Sequence, residues 1–209
     1  IPNEIGEPAE QLAEAFVKMG AKPSYTCAPY LLTDRPVLGE NIAWAESNAV
    51  VFANSIIGAR TIKYPDYLDI CVALTGRTPF ADCYRDDNRH PQLVLEITAL
   101  SKIDDSFFPL LGYHIGLIAP NVIPYIKGIA HLLPNQDNLK AFSAAFATTS
   151  AAAMFHIENI TPEAHLHYSK TYTLPHKKIT IQDLNQSWKS LNTAKTGAID
   201  SVSYTHLRA

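Results

Sequence analysis

Charge is what this chain has least of. Asp, Glu, Lys and Arg make up 18% of its 209 residues, the formal net charge is -3, and no block of Lys or Arg occurs anywhere. That argues against nucleic acid as a partner. No apolar run approaches the roughly 18 residues of a membrane span, so no membrane partner is expected. No signal peptide opens the sequence, which begins at Ile1, and the native start is expected upstream. Cysteines are few: Cys27, Cys71 and Cys83 form no CxxC pair and cannot all pair internally. Reduced thiols in a cytoplasmic protein are the expectation. The eight histidines form no HxxxH or HExxH pattern, and His165 and His167 read as solvated. There is no internal repeat and no low-complexity linker.

What is present is an ordinary share of apolar residues, 47%, in a chain long enough for a sizeable core and one or two domains. Pro8 to Met19 reads as a helix stopped by Gly20, and Ser24 to Leu32 as a short extended run broken at Pro29. Asp66 to Thr75 reads as a helix closed by Gly76. Phe80–Arg85 and Gln92–Thr98 read as paired strands flanking a polar loop that holds Asp86, Asp87, Asn88 and Arg89. Phe107 to Ile118 is helical, Val122 to Ile126 a strand, and Asn138 to Met154 a helix of small residues. Phe155–Glu158 is a short strand, Thr161-Pro162-Glu163 starts a helical turn, and Lys170–Leu174 is extended. Thr180 with Asp183 resembles a capping box for a helix over Ile181–Leu191. Helices and strands alternate, so the class is α/β.

One stretch organises the rest: GENIAWAESNAVVFANSIIGART, Gly39 to Thr61. Ile42, Ala45, Ala49, Phe52, Ala53 and Ile56 recur at helical spacing, with Asn41 as N-cap and Gly58 as stop. Its other side is neutral-polar: Glu46 is the only charge between Asn41 and Ala59, beside Ser47, Asn48, Asn54 and Ser55. A helix of this kind is buried on both sides. Each buried polar group left unpaired costs about 1–3 kcal/mol. The partners are either neighbouring backbone or a bound polar substrate.

This stretch, with TCAPYLL at Thr26–Leu32 and DICVALTGRTP at Asp69–Pro79, resembles aconitase X, a group of hydro-lyases in the aconitase superfamily. The resemblance also takes in LLGYHIG at Leu110–Gly116, PYIKGI at Pro124–Ile129 and SAAFATTSAAAMFHIENITPEA at Ser143–Ala164. It runs from about Ile1 to Asp200. It implies an aconitase-like mixed α/β fold with helices packed on short, mostly parallel sheets. Residues 1–200 would then be an internal fragment of the catalytic domain. Ser201–Ala209 departs from the family and reads as a non-native tail, excluded from fold reasoning.

The resemblance also assigns chemistry. Cys27 by itself reads as a small buried hydrophobe. It holds the family's TC-x-P-Y position, which implies a ligand to an iron or iron–sulfur centre, the other ligands lying outside this fragment. Thiolate suits iron as a soft ligand that stays deprotonated once bound. Cys71 and Cys83 read as core residues. Dehydration needs a base for the proton alpha to a carboxylate, an electrophile for the departing hydroxide, and donors for the carboxylate. Arg60, just past the central helix, is a candidate carboxylate clamp or a surface ion-pair partner. Glu46, Ser47 and Asn48 match the family's AESN segment, and Asn54 and Ser55 its FANS segment. Ser47 is the candidate base, or only a hydrogen-bonding group, and Tyr30 lines the same pocket. Ser47, Asn48, Asn54 and Arg60 are expected to face one cavity with Cys27. Asn88-Arg89 falls at an ENR-like segment, with a minor pocket role.

The implied function is a cytoplasmic dehydratase of a small hydroxy acid, working with a small swivelling domain or subunit. YPDYLDICVALTGRTP and the scarcity of cations beyond Arg60 and Arg77 favour cis-3-hydroxy-L-proline, dehydrated to Δ1-pyrroline-2-carboxylate. Mevalonate 5-phosphate is the alternative, and a non-catalytic binding remnant a second one. The later cluster ligands and the small domain discriminate an enzyme from a remnant.

Overall fold

A computed structural model describes residues 3–23, 26–65, 67–98 and 103–193. The expectation about Ser201–Ala209 lies outside the described residues. Eleven regular elements run in the order α1 (Asn3–Lys18), α2 (Ser47–Phe52), α3 (Leu68–Thr75), β1 (Leu93–Ile97), α4 (Phe107–Ile118), β2 (Pro124–Lys127), α5 (Gln136–Thr149), β3 (His156–Ile157), α6 (Ala164–His167), β4 (His176–Ile179) and α7 (Ile181–Asn192). The four strands form one sheet in the order β3-β2-β1-β4, parallel throughout. The class is α/β, as the alternation of elements predicts, and the sheet is parallel, as the resemblance to aconitase X implies.

The sheet is short because its strands are short apolar runs bounded by turns. Leu95 sits opposite Ile126 on one side and Lys177 on the other. Leu95, Ile97, Ile126, Ile157 and Ile179 turn one face towards Phe107, Phe108, Leu111 and Ile115 of α4 and Phe142 and Phe146 of α5. Gly112 is why α4 and α5 can approach: a Cβ there would collide with the carbonyl oxygen of Phe142. α2 lies against α5 and adds Ala49, Val51 and Phe52 to the same core. On the other face, Val94 and Tyr125 pack with Ala164 of α6.

Several expected elements come out differently. Phe80–Arg85 is not a strand; Asp82–Tyr84 is a 3-10 turn, and β1 finds its partners in β2 and β4. Lys170–Leu174 is not extended; Tyr168–Thr173 is a 3-10 segment. Pro29–Leu31 is a 3-10 turn within the run expected to be extended. α1 starts at Asn3, with Pro8 inside it. The central helix starts only at Ser47 and continues from Ala53 to Ile57 as a π-helical turn. Asn41 is therefore not its N-cap: it sits in a bridge with Arg60. Gly58 does end the helix, in the left-handed region at φ 77°, and Gly76 ends α3 the same way at φ 62°.

Candidate active site around the central helix

The chain doubles back across the central helix. Gly39 N–H donates to Gly58 O (2.8 Å), Arg60 N–H to Glu40 O (2.8 Å) and Ile42 N–H to Arg60 O (2.9 Å). This pairing delivers Glu46, in extended backbone, to the first turn of α2, where it is buried. Tyr30 is buried too, its ring 4.5 Å from that of Phe52. Burial first, then the nearness of Cys27 and Glu46, push its phenol above the ordinary value, so the hydroxyl stays protonated. Cys27 is an exposed thiol. Ser47 and Asn48, both half-buried, follow Glu46 directly, and Asn48 Oδ1 is buried with no hydrogen-bond partner among the described residues. Cys27, Tyr30 and Glu46 thus come together, with Ser47 and Asn48 next in the chain.

The remaining expected residues are engaged elsewhere. Asn54 is 1% exposed, and its amide is fully used. It donates to Thr61 O (2.9 Å) and Ala153 O (3.0 Å) and accepts from Thr61 N (3.0 Å) and Arg89 Nη1 (3.2 Å). Ser55 Oγ accepts from Phe155 N (2.9 Å). Both side chains have protein partners, the first of the two possibilities that the sequence left open. Arg60 is paired with Asp86. A polar cleft of about 400 Å³, lined in part by Asp82, Asp87, Asn88, His90, Gln92 and Asn121, includes Asn88 but neither Cys27, Tyr30, Arg60 nor any expected residue of the central helix.

Two groups sit differently from the sequence reading, which gave Arg89 a minor pocket role in a polar loop and left His167 in solvent. Arg89 is 1% exposed and lies at the centre of the fold, not in a charged loop. Its Nε donates to both oxygens of Glu163 (3.2 and 2.9 Å) and Nη2 to Oε1 (2.8 Å). Nη1 reaches Cys83 O (2.9 Å), and Nη2 reaches Asn54 O (3.0 Å) and Ala59 O (3.3 Å). The partners stand up to 74 residues away, so no local pattern points to them. The second group is histidine. His165 is exposed as expected, but His167 is buried, in contact with His90 and His156. Burial is the main cause that pulls His156 down to about 3 and His167 to about 4.

The described residues hold no group of three or more His, Cys, Asp or Glu placed to bind a metal ion. Cys27 can offer one thiolate to such a group. No described helix is long and apolar enough to cross a membrane.

Comparison with known proteins places this geometry in a family. The profile of the aconitase X first domain matches residues 1–87 and that of the second domain residues 91–189. The chain belongs to the aconitase X family. It is 49% identical over 97% of its length to cis-3-hydroxy-L-proline dehydratase of Hypocrea jecorina, and 47% identical over 97% to that of Pseudomonas aeruginosa. Against the phosphomevalonate dehydratase large subunit of Methanocaldococcus jannaschii it is 36% identical over 88%. It superimposes on the crystal structure of aconitase X from Thermococcus kodakaraensis with a TM-score of 0.80 at 32% identity, covering 91% of this chain and 48% of that one. The chain spans about a third of the length of the two hydroxyproline dehydratases, 35% in each. The aconitase X first and second domains share one core here, since Tyr30, Val51 and Phe52 cluster with Leu95, Phe142 and Phe155. Arg89 stands at their junction, with Asn54 and Ala59 on one side and Glu163 on the other.

Proposed function

We propose that this chain is part of a hydro-lyase that dehydrates cis-3-hydroxy-L-proline. The observation that carries the reading is the meeting of Cys27, Tyr30 and Glu46 at the start of the central helix, in a chain 49% and 47% identical to proteins of that activity. The corresponding identities to phosphomevalonate dehydratase large subunits are 36% and lower. Tyr30, held protonated, is a donor to a substrate oxygen. Asn48 Oδ1, buried and unmatched, is an acceptor for a substrate hydroxyl or ammonium group. Ser47 is the candidate base. Arg60 becomes a carboxylate clamp by exchanging Asp86, whose side chain is 80% exposed, for the substrate. Asn54 and Ser55 act on the site by fixing the π-helical turn.

An iron or iron–sulfur centre, when bound, supplies the Lewis acid for the departing hydroxide. Cys27 is the ligand proposed from among the described residues. The hydroxyproline dehydratases are matched over 35% of their length and the large subunits over as much as 46%, so the former are longer chains. A small domain fused to the same chain, in place of a separate subunit, fits that difference.

The test uses the complete enzyme purified anaerobically, with and without Cys27→Ser. Loss of iron and of activity together is expected, while the fold is unchanged because the thiol is exposed. Equal iron and equal activity would remove Cys27 from the site. Turnover of mevalonate 5-phosphate but not of cis-3-hydroxy-L-proline would overturn the substrate while leaving the reaction type intact.

A further inference from the structure

The buried histidines sit at a mechanical joint. His156 Nε2 is 2.8 Å from Arg89 O, so it carries the proton and donates, leaving Nδ1 as a bare lone pair, buried and without a partner. His90 Nδ1 and His167 Nδ1 are 3.3 Å apart. One of them donates to the other. We assign the proton to His167 Nδ1, which leaves its buried Nε2 as a lone pair and not as an orphaned N–H. The rings lie close together, edge-to-face for His90 and His167 with centroids 5.0 Å apart and tilted for His156 and His167 with centroids 4.6 Å apart. The His156 and His167 imidazoles fit this arrangement only while neutral. An added proton on His156 or His167 would put an N–H into a site with no acceptor.

The surrounding charges deepen the effect. The Arg89 guanidinium faces both His156 and His167, and Lys170 from the segment after α6 faces His167. Glu163 is the one carboxylate acting on His167, and it already accepts three contacts from Arg89. Tyr125, its ring 6.3 Å from His156, is pushed up to about 12 and stays neutral. His90 lines the cleft that also holds Asp82 and Asp87.

We propose that His90, His156 and His167, together with Arg89 and Glu163, form an acid-operated joint between the first and second aconitase X domains. It is locked while the imidazoles are neutral and released when they take up protons. The route is direct, since the residue whose backbone oxygen receives His156 is the one whose side chain holds Asn54 and Ala59. Release frees the turn that follows the central helix.

The sign follows from linkage. A histidine whose folded-state pKa lies below its unfolded value of about 6.5 binds its proton preferentially in the unfolded chain, so stability falls with pH below that value. Each such imidazole changes the folded-to-unfolded ratio by about tenfold per pH unit until its folded pKa is reached. Urea unfolding of the chain from pH 7 to pH 4.5 reads this directly, with His156→Gln and His167→Gln as variants. Each variant is expected to flatten the pH dependence by about one proton, and slopes equal to that of the unaltered chain would overturn the joint. Two readouts need no variant. NMR of the unaltered chain should show His156 and His167 still neutral at pH 5, and ordinary titration of both near pH 6.5 would overturn the proposal. Amide exchange at Thr61 and Phe155 should quicken on acidification before that of α5, and simultaneous quickening of all three would also overturn it.

Discussion

Arg89 and Glu163 set the stakes at the level of single residues. A buried ion pair is worth little against an apolar replacement of the same shape, but removing one partner strands the other charge. Glu163→Gln leaves the guanidinium with backbone and amide partners only. It is expected to destabilise the chain by about 3–5 kcal/mol, read as a lower urea midpoint. Asn54→Ala acts through the same hub. It orphans the Thr61 N–H and the Ala153 carbonyl together. The expected loss is about 1–3 kcal/mol per stranded group. Cys27→Ser should leave the midpoint where it was, because the thiol is exposed. The contrast separates residues that build the site from residues that serve it.

Among the elements, α7 and α4 make opposite predictions about small changes. Thr180 caps α7 reciprocally with Asp183, at 2.8 Å and 3.4 Å for the two backbone bonds. Thr180→Ala should cost about 1 kcal/mol by thermal melting. Gly112→Ala adds one methyl against the backbone of α5, which cannot rotate away. A loss of about 1–3 kcal/mol is expected, a penalty of overpacking and not of lost contacts. Both elements were legible in the sequence, because α4 and the α7 box are written locally: an apolar run between turns, and a Thr three residues before an Asp. The glycine stops at Gly58 and Gly76 were legible for the same reason. Phe80–Arg85 and Lys170–Leu174 were misread because their apolar and aromatic residues imitate strands, and only tertiary placement makes them 3-10 turns. Asn41 looked like a cap because the pairing of Glu40 and Ile42 with Arg60 is invisible from one side. The site divides likewise. Cys27, Tyr30 and Glu46 were named through a resemblance, which gave Arg89 only a minor pocket role; the burial of Arg89, Glu163 and His167 carries no local signal, their partners lying far along the chain.

The whole molecule should behave as one unit. The two aconitase X domains contribute to a single apolar cluster, and Arg89 ties them by hydrogen bonds on both sides. Their unfolding is therefore expected to be one transition, with far-ultraviolet and near-ultraviolet dichroism coinciding. Two separated transitions would show that the shared core is not cooperative. α1 and α3 contribute little to that unity, since no described residue of either is buried. They belong to the part of the surface that opens first.

The strand order has a consequence for how the chain is born. β1 is central, yet one of its neighbours, β4, pairs Lys177 with Leu95 across more than eighty intervening positions. Closing so distant a contact is slow, because the entropy of the long loop is lost before the pairing returns anything. During synthesis, β1 leaves the ribosome well before β4 exists. Its open edge then presents Val94 and Leu95 to whatever strand arrives first. A pause in translation ahead of His176 would lengthen that exposure, and a faster passage would shorten it. The yield of folded protein should therefore depend on the tempo of elongation through the segment between α5 and β4, even for synonymous messages that encode an identical chain.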